Sequence, residues 1–196
     1  MPATALDPRT ALVVIDLQRG LAVYPTVHPF GEIVANTRRL AEAFRRAELP
    51  VVLVTVGFSA DGQDRVLSRT EVPARPVPSD PRVTEIVPEL EPQSSDIRIV
   101  KHQMNAFYGT ELDLQLRRRK VTGIVLAGVA TSLGVDTTAR AAHERSYNVT
   151  FASDAMTDLD PAAHEFALKK IFPRLGEVDT TDALIALIAQ RRPVPV

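Results

Sequence analysis

The sequence contains no cysteine. Disulfides, thiolate metal sites and thiol nucleophiles are therefore excluded. No stretch approaches the roughly 20 apolar residues a membrane helix needs. Residues Met1 to Thr10 are polar and proline-containing, without the basic start and apolar run of a secretory signal. There is no excess of positive charge: the formal net charge is -1, so the basic footprint of a nucleic-acid binder is missing. The four histidines, His28, His102, His143 and His164, form no H-x-x-H or H-x-x-x-H pair, so we expect no catalytic metal. Neither GxGxxG nor GxxxxGK[ST] occurs, which removes the usual signatures of dinucleotide and phosphate-loop binding. These absences lead us to expect a cytoplasmic protein that acts on a small molecule, without cofactor, nucleic acid or membrane.

What is present suits a soluble α/β protein. The chain has 196 residues, 45% hydrophobic and 24% charged, which fits one large domain over residues 1–196. Short β-branched runs alternate with amphipathic segments. Strands are expected at Ala11–Ile15, Pro50–Val56, Asp96–Val100, Val121–Ala127, Tyr147–Ala152 and around Val178. Helices are expected at Glu32–Glu48, Glu111–Lys120, Val135–Arg145, Pro161–Ile171 and Thr181–Gln190. The alternation predicts a three-layer fold: a mostly parallel six-stranded sheet with helices on both faces. The strands read as continuous apolar runs, as parallel strands buried on both faces should. Arg117-Arg118-Arg119-Lys120 is read as the solvated end of a helix, where cations suit the dipole. The proline-rich stretch from Gly57 to Ser95 breaks the pattern. It is either an insertion over the active site or an arm that packs on a neighbouring subunit.

Open parallel sheets bind ligands at the carboxyl ends of their strands. The first strand is followed there by Asp16, Leu17 and Gln18, the third by Lys101, the fourth by Gly128 to Gly134, and the fifth by Ser153 and Asp154. Asp16 ends an apolar run, and desolvation there raises a carboxyl pKa unless a cation offsets it. Lys101 is the available cation. The pair suits acid–base chemistry and equally a structural ion pair. The turn through Val129, Ala130, Thr131, Ser132 and Leu133 offers backbone N–H groups to an oxyanion or carboxylate. Thr131 and Ser132 serve equally well as helix N-caps. Neither has a base nearby in sequence to make it a nucleophile. His102 is expected to point away from the Lys101 face, and His164 to lie on the surface or in helix packing. Phe107 and Tyr108 line either a pocket or the core.

These residues carry a resemblance. Ala11-Leu-Val-Val-Ile-Asp-Leu-Gln18, the segment from Val100 to Leu112 with Lys101, and Ile124 to Arg140 resemble three motifs of the isochorismatase-like hydrolase superfamily, in order. Ser153 to Asp158 and His164 continue the match. The resemblance implies a parallel-sheet, Rossmann-like α/β fold, a dimeric or tetrameric homo-oligomer, and a site built on Asp, Lys and Cys. It places Asp16 and Lys101 in the first two roles and Gly134 at the cysteine position. Gln18, Phe107 and Val129 to Leu133 fall at substrate-binding positions, with a cis peptide between Val129 and Ala130. Glycine at position 134 forms no acyl-enzyme, so amide hydrolysis through a cysteine is ruled out there. True isochorismatases also carry glycine at this position, and the resemblance implies protonation of a vinyl ether by the Asp. The Tyr and His of their turn are replaced here, which places the chain nearer a subgroup of unassigned substrate. The expectation is a hydrolase of a small molecule working without a thiol. The alternative is a catalytically inactive binding or scaffold protein that keeps the fold.

Overall fold

In the computed structural model, which describes residues 2–72 and 80–191, six strands follow the apolar runs. They are β1 (Thr10–Ile15), β2 (Val51–Val56), β3 (Ile97–Lys101), β4 (Gly123–Val129), β5 (Asn148–Thr157) and β6 (Gly176–Asp179). All pair in parallel, in the order β3-β2-β1-β4-β5-β6. Every residue of β1 and β4 is buried. These two central strands are the most continuously apolar because both of their faces are covered.

The covering helices are α1 (Phe30–Arg46), α2 (Leu112–Arg118), α3 (Asp136–Glu144), α4 (Pro161–Phe166) and α5 (Thr181–Gln190). Alternation along β1 sorts the core into two layers. Leu12 and Val14 pack with Leu40 and Phe44 of α1 and Leu184 of α5. Ala11, Val13 and Ile15 pack with Leu116 of α2 and Ala139 of α3. Local signals fix the helix starts. Asp160 accepts from the N–H groups of Ala162 and Ala163 ahead of α4, and Thr180 caps α5 through Ala183 N. None of the helices among the described residues is long and apolar enough to cross a membrane.

Two expectations change. The fifth strand does not stop at Ala152. It bulges between Phe151, paired with Leu126, and Met156, paired with Gly128, and runs on to Thr157. Ser153 and Asp154 lie on that bulge and serve the neighbouring elements. Ser153 donates to Asp179 O, and Asp154 accepts from Thr181 N and Oγ1. The helix expected from Val135 is preceded by one π turn, Thr131–Val135.

Within the proline-rich stretch, of which residues 73–79 lie outside the described residues, the part from Val83 to Leu90 packs on its own chain, while residues 66–72 are exposed. Gln18 bridges Ile86 in antiparallel fashion. Arg19 N bonds Glu85 O, Gly20 N bonds Val83 O and Val87 N bonds Leu17 O. Leu90 is fully buried. Arg117 to Lys120 end α2 exposed to solvent, as expected.

Candidate active site

The strand order reverses direction between β1 and β4, and such a switch point opens a crevice at the carboxyl ends of the strands. Asp16 leaves β1 there with φ 54°, a left-handed conformation that Asp tolerates better than most residues. Lys101 closes β3, two strands away, a span of roughly 10 Å. Its four-carbon stem passes the end of β2 and brings Nζ to 2.7 Å from Asp16 Oδ2. Nζ also donates to Gln103 O at 3.0 Å. Asp16 is 5% exposed and Lys101 2%. Burial pushes the Asp16 carboxyl up to about 6, while the Lys101 ammonium pulls it back down. Oδ1 of Asp16 is buried and has no hydrogen-bond partner among the described residues. One carboxylate oxygen is thus held by the lysine, and the other is buried without a partner among the described residues.

The β4 turn forms the other wall. Gly128 takes φ 118°, and a Cβ there would lie 2.0 Å from Ile15 O, so only glycine lets β4 approach β1 this closely. The Val129–Ala130 peptide is cis, as the resemblance implies. Gly134 faces the ion pair. A Cβ on it would lie 3.0 Å from Ile15 Cγ2, 3.4 Å from Val129 O and 3.5 Å from Asp16 Oδ2. Asp16, Lys101 and the Gly134 backbone therefore converge on one point. Val129 is buried, Ala130 and Ser132 are half-buried, and Leu133 is exposed.

Other expectations are corrected by what the side chains touch. Gln18 does not present its amide to a ligand. Nε2 donates to Val56 O and Val83 O, and Oε1 accepts from Val56 N at 2.8 Å. It ties the proline-rich stretch to β2 instead. Phe107 is a core residue. It is 4% exposed and packs near Tyr147 under the Arg145 guanidinium, while Tyr108 points to solvent. The Thr131 hydroxyl does not cap the helix. It donates to Thr157 O at 3.0 Å and meets His164 Nδ1 at 2.9 Å. Several turn N–H groups are already committed: Ser132 N to Asp158 Oδ2, and Leu133 N and Val135 N to Ala130 O. His102 turns away from Lys101 toward Gly57 O and Asp64, as strand alternation requires.

Two residues that the resemblance includes, His164 and Asp158, were given no role from the sequence. His164 is not a surface residue: it is 3% exposed, and its ring meets His28 edge-on at 5.0 Å. Burial, and then His28, pull its pKa below the usual histidine value. Asp158, equally buried, holds the turn through Ser132 and also accepts from Leu159 N. The signal available in the sequence was their spacing: a carboxylate just past β5, and a histidine one turn into the helix that Asp160 caps.

Comparison with known proteins agrees with this fold. The family model described as the isochorismatase domain matches residues 10–183. The uncharacterized isochorismatase family protein YwoC of Bacillus subtilis is 40% identical over 90% of this chain and 93% of its own length. The solved structure of an isochorismatase family protein from Burkholderia thailandensis superposes with a TM-score of 0.92 at 45% identity, covering 94% of this chain and 98% of that one. The isochorismatase of B. subtilis is 28% identical over 91% of this chain and 58% of its own length. The model match spans the site from β1 to α5, and the chain belongs to the isochorismatase family.

Proposed function

We propose that the protein is a small-molecule hydrolase that uses Asp16 and Lys101 without a covalent nucleophile, and that its reaction is hydrolysis of a vinyl ether. The unpartnered Oδ1 of Asp16 carries this reading. A buried acid whose other oxygen is bound by an ammonium presents a single free oxygen, and a carboxyl titrating near 6 is suited to proton transfer near neutrality. Gly134 supplies no side chain to attack with, so the nucleophile is water.

The chemistry balances on these groups. Protonated Asp16 gives its proton to the terminal carbon of an enol ether. The electron pair of the double bond forms the new C–H bond and leaves an oxocarbenium ion. Water adds to the oxygen-bearing carbon of that ion and returns a proton to Asp16. The hemiketal then collapses to a ketone and an alcohol. Lys101 stabilises the Asp16 carboxylate formed in the first step. Val129 to Leu133 form the wall against which the substrate sits.

The test is pyruvate release from isochorismate by the wild-type protein and by Asp16→Asn. Wild-type turnover is expected, with a loss of 10²- to 10⁴-fold in the variant, the scale of general acid catalysis. Because protonated Asp16 is the donor, kcat/KM is expected to be high below pH 6 and to fall as pH rises through about 6. Equal turnover in Asp16→Asn defeats the mechanism. No turnover in the wild type removes the vinyl-ether reading and favours the inactive binding protein or a different hydrolysis.

A further inference from the structure

The donor and acceptor roles in the cluster behind the turn can be assigned without seeing a hydrogen. The Thr131 hydroxyl carries one proton, and Thr157 O, 3.0 Å away, can only accept. The proton therefore points at Thr157 O. The 2.9 Å contact between Thr131 Oγ1 and His164 Nδ1 must then be donated by the histidine. Neutral His164 is the Nδ1–H tautomer, with its lone pair on Nε2. This direction excludes His164 as a base for Thr131, whose side chain is in any case fully buried.

We infer that His164 is a positioning residue: its Nδ1–H fastens Thr131, and through it keeps the 130–134 turn closed over Asp16. Outside its own backbone the turn is held at the Thr131 hydroxyl by Thr157 O and His164, at Ser132 N by Asp158, and at Leu133 O by the Thr137 hydroxyl. Of these contacts, the one from His164 fixes the direction of the Thr131 hydroxyl, so that its bond to Thr157 O is kept. The same turn carries Gly134, whose Cβ position lies 3.5 Å from Asp16 Oδ2. A pivot of the turn would therefore admit water to the carboxylate. The groups facing His164 are His28, Asp158 and Glu165. Protonation at Nε2 leaves the Nδ1–H donor in place, so acid does not break the link. The inference rests on the reading of Asp16 as the reacting group, but its geometry can be tested without turnover.

The experiment follows Asp16 by carboxyl-carbon NMR through a pH titration, and His164 by its ring nitrogen shifts. In the wild type the nitrogen shifts are expected to report the Nδ1–H tautomer. In His164→Leu and in Thr131→Val the Asp16 midpoint is expected to fall by about one pH unit or more as water solvates the carboxylate. His164→Asn, whose amide nitrogen replaces Nδ1 as a donor, is expected to keep the wild-type midpoint. Should His164→Leu fail to fold, Thr131→Val removes that bond from its other end, together with the bond to Thr157 O. An Nε2–H tautomer overturns the inference. So does an unchanged Asp16 midpoint in the folded variants, even with lowered stability, because His164 is then only packing. Turnover enters none of these readings, so failure of the hydrolase reading would remain separately visible.

Discussion

Two ion pairs with buried carboxylates sit at opposite ends of the sheet, and they are built differently. At the amino ends of the strands, Arg45 grips Asp96 with two bonds, Nε to Oδ1 at 3.0 Å and an NH2 group to Oδ2 at 2.7 Å. Gln93 N adds a third bond to Oδ2. Both oxygens of Asp96 are used. At the carboxyl ends, Lys101 touches only Oδ2 of Asp16, and Oδ1 has no partner. A buried carboxylate gains from its counter-ion only when its remaining lone pairs are satisfied. The lower pair meets that condition and serves to bind α1 to the start of β3. The upper pair does not, and under the proposed function the oxygen left without a partner is the one that meets the substrate.

Removing one cation from each pair should separate these roles. Arg45→Met is expected to lower stability by roughly 3 kcal/mol, the low end for breaking a buried pair, and to leave turnover nearly unchanged. Lys101→Met is expected to abolish turnover and to move the Asp16 titration above about 6, since the ammonium is what lowers it. The sign of the linked stability follows. Asp16 binds its proton more tightly folded than unfolded, so its contribution is fully present below the unfolded value of 3.8 and is lost as pH rises through about 6. In the wild type this amounts to about 3 kcal/mol, read from denaturant midpoints between pH 4 and pH 8. Loss of turnover in Arg45→Met would erase the distinction between the two ends.

Gly134→Ala acts on the upper pair alone. The added Cβ lies 3.0 Å from Ile15 Cγ2, so the turn or Ile15 must give by a few tenths of an ångström. The expected cost is roughly 1 kcal/mol, at the bottom of the range for overpacking. A turnover loss of about 10-fold is expected, because small misplacements beside a reacting group are costly. Wild-type rates in Gly134→Ala would mean that the turn does not shape the site.

Much of the sheet was legible because central parallel strands buried on both faces leave unbroken apolar runs; Asp16 stands at the end of one of them, and Lys101 ends the edge strand β3, whose burial alternates. The extension of β5 was not legible. Its bulge carries Ser153 and Asp154, polar residues that read as a loop but are satisfied by Asp179 O and Thr181. The poise of Asp16 was anticipated from a charge at the end of an apolar run. The roles of Gln18, Phe107 and His164 were not, because a polar or aromatic residue near a site reads the same whether it faces ligand or backbone. Gln18 is polar yet spent on three backbone bonds, and His164 is buried against Thr131 and His28.

The smallest effect is expected at Phe107, and its size settles which side of that ambiguity it occupies. The ring lies within the layer shared with Leu116 and Ala139, near Tyr147. Phe107→Leu keeps an apolar side chain of lesser volume there, so a stability loss of about 1 kcal/mol is expected by chemical denaturation. A residue lining the substrate pocket would behave differently. Loss of a well-fitted apolar contact to substrate is worth roughly 1–3 kcal/mol, or 10- to 200-fold in kcat/KM. Phe107 packs away from the Asp16–Lys101 pair, so kcat/KM at a fixed temperature well below unfolding is expected to stay within about two-fold, a difference of under half a kcal/mol. A ten-fold fall in kcat/KM with unchanged stability would return Phe107 to the pocket wall and require the segment after Lys101 to rearrange when substrate binds.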